Sequence, residues 1–120
     1  MLANGVLLRI DRSSSADATG EKSFSPGADL AELVTGAPRC FLDEVSDLQR
    51  WSLGSTIKDA SQVCFIADES LSGADESPPA QGDRMVVELD AGEAWTGEAI
   101  VIKHHSLSGF SHFEVYLKKV

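Results

Sequence analysis

Apolar and polar side chains alternate most regularly near the end of the chain, over residues 111–117. Phe113, Val115 and Leu117 fall on one side of an extended segment, and His112, Glu114 and Tyr116 fall on the other. This period of two predicts a β-strand with one buried face. We expect the following apolar side chains to share one core: Met85, Val87, Leu89, Phe113, Val115 and Leu117.

Two further β-prone segments precede that strand. Residues 83–89 and 94–103 are rich in β-branched and other apolar side chains, and residues 90–93 form a glycine-containing turn between them. Gly97 suggests a bend or bulge within the second segment, and residues 104–109 are expected to form a loop. Together with the last strand, these segments predict an antiparallel meander.

The earlier part of the chain is less regular. Residues 61–67 form a continuous β-prone run that predicts a strand buried on both faces, and residues 39–45 predict another strand. Residues 29–35 could form one helical turn. For residues 5–12 and 47–53, periodicity leaves strand and helix equally open.

These elements predict a mainly all-β fold: a small β-barrel or sandwich of about five to seven short antiparallel strands, with long loops and at most one short helix. The chain has the length of one domain, covering residues 1–120, in which residues 1–36 form an N-terminal arm or loop region. The brief apolar stretch at the N-terminus is too short for a membrane span, so we expect no contact with a membrane.

An acidic segment separates two of the predicted strands. Residues 68–81 carry Asp68, Glu69, Asp75 and Glu76 without a basic residue, and two prolines lie near the end of the segment. We expect an exposed, mobile loop that faces a channel or a partner, because loops of this length are usually functional or disordered. A tolerated insertion without a role is the alternative.

The net charge of the chain limits the classes of molecule that it is expected to bind. Nineteen acidic residues oppose ten basic residues, which gives a formal net charge of -9. Such a chain repels phosphate backbones, so sequence-specific binding of DNA or RNA is disfavoured. The acidic surface could simply keep the protein in solution, meet a basic partner, or let nucleic acid pass without sticking.

Few residues form a recognisable chemical motif. The chain has no GxSxG elbow, no glycine-rich phosphate loop and no CxxC pair, so we expect no catalytic residue, no metal site, no cofactor and no enzyme activity. Cys40 and Cys64 lie in apolar surroundings and are expected to be buried and reduced.

The histidines and tryptophans leave alternatives open. His104 and His105 would point to opposite faces of an extended segment, so they are expected to be solvated or paired; a metal site of His112 with one of them is the alternative. Trp51 and Trp95 are either core residues or interface aromatics.

The order of motifs from residue 37 onward resembles that of small head-to-tail joining proteins of tailed bacteriophages, the stopper or head-closure group. An apolar strand at residues 63–67 is followed by a proline loop and a Gly-Asp step at residues 78–84. A glycine turn then leads into an aromatic-bearing strand at residues 91–96, and residues 113–117 form the closing strand. The resemblance covers about two-thirds of the chain.

This resemblance implies a structural subunit of the virion neck. Such a protein assembles with itself as a ring around the channel for double-stranded DNA, meets a portal-side connector on one face and tail proteins on the other, and is assembled in the host cytoplasm. The resemblance carries no catalytic residues. The alternative is a non-enzymatic β-barrel module of a bacterial protein that binds another protein or a ligand.

Overall fold

The structure is a computed structural model that describes residues 3–14, 23–54, 59–107 and 110–120. The strands in these ranges are β1 (Gly5–Ser13), β2 (Phe24–Ser25), β3 (Arg39–Glu44), β4 (Gln62–Ala67), β5 (Arg84–Leu89), β6 (Ala94–Leu107) and β7 (Phe110–Lys119). The helices are α1 (Asp47–Leu53) and α2 (Asp68–Gly73), with one 3₁₀ turn at Leu30–Glu32.

Six of the strands close into an antiparallel barrel. Their order is β1, β3, β4, β7, β6, β5, and β5 pairs back with β1 from Gly5 opposite Leu89 to Asp11 opposite Arg84. The two-residue strand β2 adds beside the end of β1. The structure therefore confirms the mainly β prediction and selects the barrel over the sandwich.

The longest strand, β6, pairs with a different neighbour on each of its two sides. Its residues 94–98 pair with β5, and its residues 97–107 pair with β7. A register shift interrupts β6 between Ala99 and Val101, and another interrupts β1 opposite β5. Such irregularities bend a strand and increase its twist, which helps a small sheet to close.

Gly97 has a different role from the predicted bend or bulge. It stays in register with Met85 on β5, while the irregularity lies beyond Ala99. A Cβ atom on Gly97 would lie only 2.3 Å from the ring of Trp95. Gly97 thus makes room for that ring, which packs against the barrel interior.

The barrel interior confirms the predicted alternation of side chains. Of the residues expected to share one core, these are fully buried: Met85, Val87, Val115 and Leu117. Leu89 and Phe113 are partly buried and pack against them. The period of two was therefore sufficient to place the inner face of β5 and β7.

A second apolar cluster lies on the outer face and includes Val63 and Tyr116. Because Val63 and Cys64 are both buried, β4 is covered on both faces, as its continuous apolar run predicted. Helix α1 contributes Gln49, which hydrogen-bonds the hydroxyl of Tyr116. Burial, reinforced by the nearby Glu114 carboxylate, raises the pKa of Tyr116 to about 12.

The predicted N-terminal arm over residues 1–36 needs correction. Residues 5–13 form β1, whose Leu7 and Ile10 are buried in the barrel interior, and Leu30 of the 3₁₀ turn is buried with them. The segment was too short for periodicity to identify as a strand; pairing with β5 determines its conformation. Residues 15–22 lie outside the described residues.

The predicted number of helices and the limits of one loop also need correction. The described residues include two short α-helices where the sequence predicted at most one. Residues 104–107, expected to be part of a loop, continue β6 because each pairs with a residue of β7. Polar side chains on this stretch concealed its strand character, and residues 108–109 lie outside the described part of the chain.

The acidic segment folds against the barrel, so the expectation that it would stay outside the core is wrong, while its mobility stays a prediction. Residues 68–73 form α2, and Leu71 of this helix is only 2% exposed and belongs to the barrel core. After the helix, Asp75 adopts a left-handed conformation and the Glu76 N–H bonds the carbonyl of Leu71. The buried side chain of Leu71 therefore attaches this acidic stretch to the barrel core.

Cys40 and Cys64 are both buried and unbridged, as their apolar flanks predicted. The two thiols are hydrogen-bonded neighbours on the inner face of β3 and β4. This hydrogen bond and the burial of the side chain raise the pKa of the Cys64 thiol well above its ordinary value.

Replacing Leu71 with alanine should lower the free energy of unfolding by about 2–4 kcal/mol, because the change leaves a cavity in the core. Urea unfolding monitored by circular dichroism measures the loss. Ser72→Ala is the matched control, since Ser72 is exposed on the same helix and its loss should be nearly neutral. Equal stability of the two variants would show that Leu71 of α2 does not contribute to the core.

Thiol titration should distinguish two buried free thiols from a disulfide between Cys40 and Cys64. In the native protein both thiols should react slowly, because Cys40 is 2% exposed and Cys64 is 0% exposed. The raised pKa of Cys64 also makes its reactive thiolate scarce. After unfolding without a reductant, both thiols should react rapidly. An unfolded chain with no titratable thiol would demonstrate a disulfide.

Candidate functional site

The acidic segment is held to the barrel by Arg12 at the end of β1. The guanidinium of Arg12 donates to Glu76 at 2.6 Å, to the carbonyls of Ser77 and Pro78 at 2.7 and 2.8 Å, and to Asp83 at 3.1 Å. One arginine thus binds four acceptors along the return of the segment. This arrangement fixes the path between α2 and β5.

Asp83 is the buried acceptor of that network. Only 3% exposed, its carboxylate accepts the N–H groups of Ser13 at 2.9 Å and Ala80 at 2.8 Å as well as the Arg12 guanidinium. Burial by itself raises the pKa of Asp83, but these donors outweigh it and hold the pKa below its ordinary value. The Gly-Asp step noted in the sequence therefore has a structural role.

The four acids proposed to face a channel or a partner have different environments. Asp68 contacts the His104 imidazole at 2.6 Å, and Glu76 is tied to Arg12. Glu69 and Asp75 are exposed. Only these last two are therefore placed to meet a partner without first breaking an ion pair or hydrogen bond of the fold.

Helix α1 presents an apolar face to solvent. Leu48 is 75% exposed and Trp51 is 84% exposed, and the spacing of three residues places them on one side of the helix. Gln49 faces the barrel through its bond to Tyr116. Trp51 therefore has the exposure of an interface aromatic, whereas Trp95 packs against the core and is not available as one.

An aromatic row crosses the outer face of four neighbouring strands. We define it by Phe41 on β3, Phe65 on β4, Phe110 and His112 on β7, and His105 on β6. Consecutive ring centroids along the row are 4.9 to 6.3 Å apart. Cross-strand pairing creates the row, because Phe41 lies opposite Phe65 and His105 lies opposite His112.

The row borders a recess of about 180 Å³ at the start of β3. Phe41, Phe65, Phe110 and His112 line it, and Arg39 lies beside it. Arg39 is held in place by two bonds to Asp90 at 2.8 and 2.9 Å. The recess is therefore an aromatic-lined hollow with a positioned guanidinium beside it.

The histidines are paired, as one of the sequence interpretations expected. His104 stacks on Phe113 at 4.4 Å and contacts Asp68, while His105 stacks on His112 at 4.9 Å and contacts Glu114 at 3.2 Å. The two adjacent histidines thus use different partners. Among the described residues, no group of three or more histidine, cysteine or acidic side chains is placed to hold a metal ion.

Sequence reasoning did not identify the aromatic row or the Arg12 network. Phe41 and Phe65 were interpreted only as members of apolar strands, and Phe110 was assigned to no element, since the alignment of these rings depends on the register between strands. Arg12 and Asp83 are 71 positions apart, so local patterns contain no sign of their contact.

No family model, curated protein or solved structure matches this chain. Within the described ranges, no helix is long and apolar enough to cross a membrane.

Asp83→Asn should destabilise the fold at neutral pH by about 2 kcal/mol, because it weakens charge-assisted hydrogen bonds at a buried site. The pKa of Asp83 is lowered in the folded state, so its contribution is complete above the unfolded pKa of about 4 and is lost as the pH falls through the folded pKa. Unfolding free energies measured from pH 3 to pH 7 should show the two proteins converging in acid.

The exposed acid Asp90 provides the control. Asp90→Asn breaks only a surface pair with Arg39 and should leave stability near that of the wild type over the same pH range. A destabilisation by Asp83→Asn that does not change between pH 3 and pH 7 would contradict the assigned charge-dependent role.

Proposed function

We propose that this protein is a structural subunit of a phage head-to-tail neck, a stopper or connector, that assembles as a ring around the DNA channel. The observation that carries the proposal is the apolar face of α1, formed by Leu48 and Trp51, on an acidic closed barrel. The order of strands and loops resembles that of neck proteins. This resemblance is the reason for proposing the neck ring as the assembly.

An exposed tryptophan beside an exposed leucine favours a protein contact. Tryptophan is among the residues that contribute most to binding free energy when it is buried at an interface. The isolated chain leaves most of the apolar surface of Leu48 and Trp51 in water. A neighbouring subunit or neck protein would remove that surface from water and gain the corresponding free energy.

The charge of the chain suits a lining through which DNA passes. With a net charge of -9, the subunit repels phosphates, and a ring multiplies that charge by the number of its subunits. Exposed Glu69 and Asp75 lie on a segment that is folded against the barrel, so a channel-facing position would present negative charges to the DNA. Repulsion of this kind would keep DNA transit free of specific binding.

The proposed partners follow from this role. Copies of the chain form the ring, a portal-side connector meets one face, and tail proteins meet the other. Double-stranded DNA passes without sequence recognition, and the final location is the virion neck after assembly in the host cytoplasm. The chain performs no catalysis and needs no cofactor in this proposal.

The recess favours a second candidate function, a β-barrel module that binds a ligand in a bacterial protein. Its volume of about 180 Å³ and its aromatic lining would accept one small planar group. Such a module would have no need to form rings. The oligomeric state therefore separates the two candidates.

Removing the coding gene from the phage should leave DNA-filled heads and free tails that do not join. The wild-type gene should restore joined virions, while a gene carrying Leu48→Ser and Trp51→Ser should not, because the contact face would be polar. Electron microscopy and plaque counts measure the outcome, and we expect at least a hundredfold loss of infectivity, on the order of the affinity lost with a few kcal/mol of contact free energy.

Val34→Ser is the matched control, since Val34 is a fully exposed apolar residue that is not part of α1. It should restore joining to the level of the wild type. Normal virions without the gene, or full rescue by the double variant, would refute the proposed role of this face.

A further inference from the structure

We infer that the free edge of β6, residues 101–107, binds an extended segment of a partner protein as an added β-strand. An added strand is held by main-chain hydrogen bonds to the edge of a sheet, which is a recurring way of binding extended peptides. The inference goes beyond the proposed function, which concerns the apolar face of α1, and does not depend on it.

Strand β6 has a neighbour on both sides only in its first part. Its residues 94–98 pair with β5 and close the barrel. Two further bonds hold Ala99 on the same side, where its N–H donates to the carbonyl of Asp83 and its carbonyl accepts the N–H of Gly82, both at 2.8 Å. Beyond Ala99, no backbone hydrogen bond between described residues reaches this side of β6. Residues 101–107 therefore pair with β7 alone.

The register identifies the backbone groups that point to the free edge. Leu117 of β7 directs its carbonyl to the β4 side, where it accepts the N–H of Ser61 at 3.0 Å. The backbone groups of the preceding residue, Tyr116, therefore point to β6, where Tyr116 lies opposite Val101. The register then continues without interruption to the end of β6. By alternation, three residues direct their N–H and C=O groups to the free edge: Ile102, His104 and Ser106.

An open hollow of about 510 Å³ lies beside the start of this edge. It is lined by Ile100, Val101 and Ile102 of β6 and by Gln81 from the segment that precedes β5. The three β6 side chains are only partly buried. An apolar side chain of an added strand would leave water in this hollow while its backbone pairs with the edge.

The two faces of β6 indicate which side chains the bound segment carries. Ile102 packs against the barrel core on one face, and Val101 packs against the outer apolar cluster on the other. An added strand would therefore have apolar neighbours on both faces at this position. The segment that fits is rich in β-branched or aromatic residues and has no proline where its N–H must donate to the edge.

Lys103 argues against a second copy of the chain as the occupant. Two identical edges could pair about a twofold axis, and a pairing centred on residue 103 would place Lys103 of one copy opposite Lys103 of the other. Like charges directly opposite each other destabilise a strand pair, and an edge lysine is a common device against pairing between copies. We therefore assign the edge to a different polypeptide.

A peptide with the sequence of residues 111–117 is a suitable probe, because β7 already pairs with this part of β6. In the fold, Val115 lies opposite Ile102 and Tyr116 lies opposite Val101, and the peptide could repeat these side-chain pairs on the free edge. Binding should be measured by amide hydrogen exchange followed by NMR. This method reports the backbone groups of each residue separately.

The exchange pattern should distinguish the two edges of β6. In the protein alone, the amides of Ile102, His104 and Ser106 should exchange without protection, whereas those of Val101 and Lys103 should be protected by β7. At a peptide concentration ten times its Kd, exchange of the three free-edge amides should slow by about tenfold, in line with the occupied fraction. The amides that face β7 should not change.

Two controls test the hydrogen bonds themselves. The same peptide methylated on every backbone nitrogen keeps its side chains but cannot donate, and it should give no protection. Ser106→Pro removes one free-edge donor at an exposed position, so the protein should fold normally and bind the peptide about threefold to tenfold more weakly. Ser106→Ala, which keeps the N–H, should bind as the wild type does.

Three results would overturn the inference. Protection of the free-edge amides in the monomeric protein alone would show that the chain covers its own edge. Protection that rises with protein concentration in the absence of peptide would make a second copy the occupant. Millimolar peptide that leaves these amides unprotected would show that the edge does not accept a strand. None of these results bears on the neck proposal, which is tested through Leu48 and Trp51.

Discussion

Pairing between β1 and β5 is the constraint on which the rest of the structure depends. It joins the first strand of the chain to a strand in its second half and converts an open sheet into a barrel. Closure also brings Arg12, at the end of β1, to the segment that precedes β5, where it meets Glu76 and Asp83. The acidic segment is thus attached to the closed barrel at two places, through the Arg12 contacts and through the buried side chain of Leu71.

A closed barrel with a fixed cap leaves two kinds of surface for function. One is the apolar face of α1, whose Trp51 has no role in the core, and the other is the aromatic row with its recess. Both are attached to paired strands, so their separation within one copy is set by the sheet. A subunit that repeats the same contact around a ring needs this kind of rigid spacing.

The parts of the fold that depend on short-range pattern were predictable. Alternation placed Val115 and Leu117 inside, and the continuous run of β4 indicated burial on both faces. The contacts that depend on barrel closure were not predictable from the sequence. Arg12 and Asp83 are far apart in the chain, and the acidic residues around Leu71 give no sign that its side chain is buried. For the same reason, the sequence did not show whether each tryptophan is a core residue or an interface aromatic. Only the fold shows which of the two rings packs against the core.

The central claim is that α1 is buried between neighbouring barrels in a ring around DNA. Cryo-electron microscopy of the assembled neck tests it most directly. The account predicts a ring of barrels in which each α1 contacts the next copy and the lumen carries acidic side chains. A map in which this chain is absent from the neck, or in which Leu48 and Trp51 remain in solvent, would contradict it.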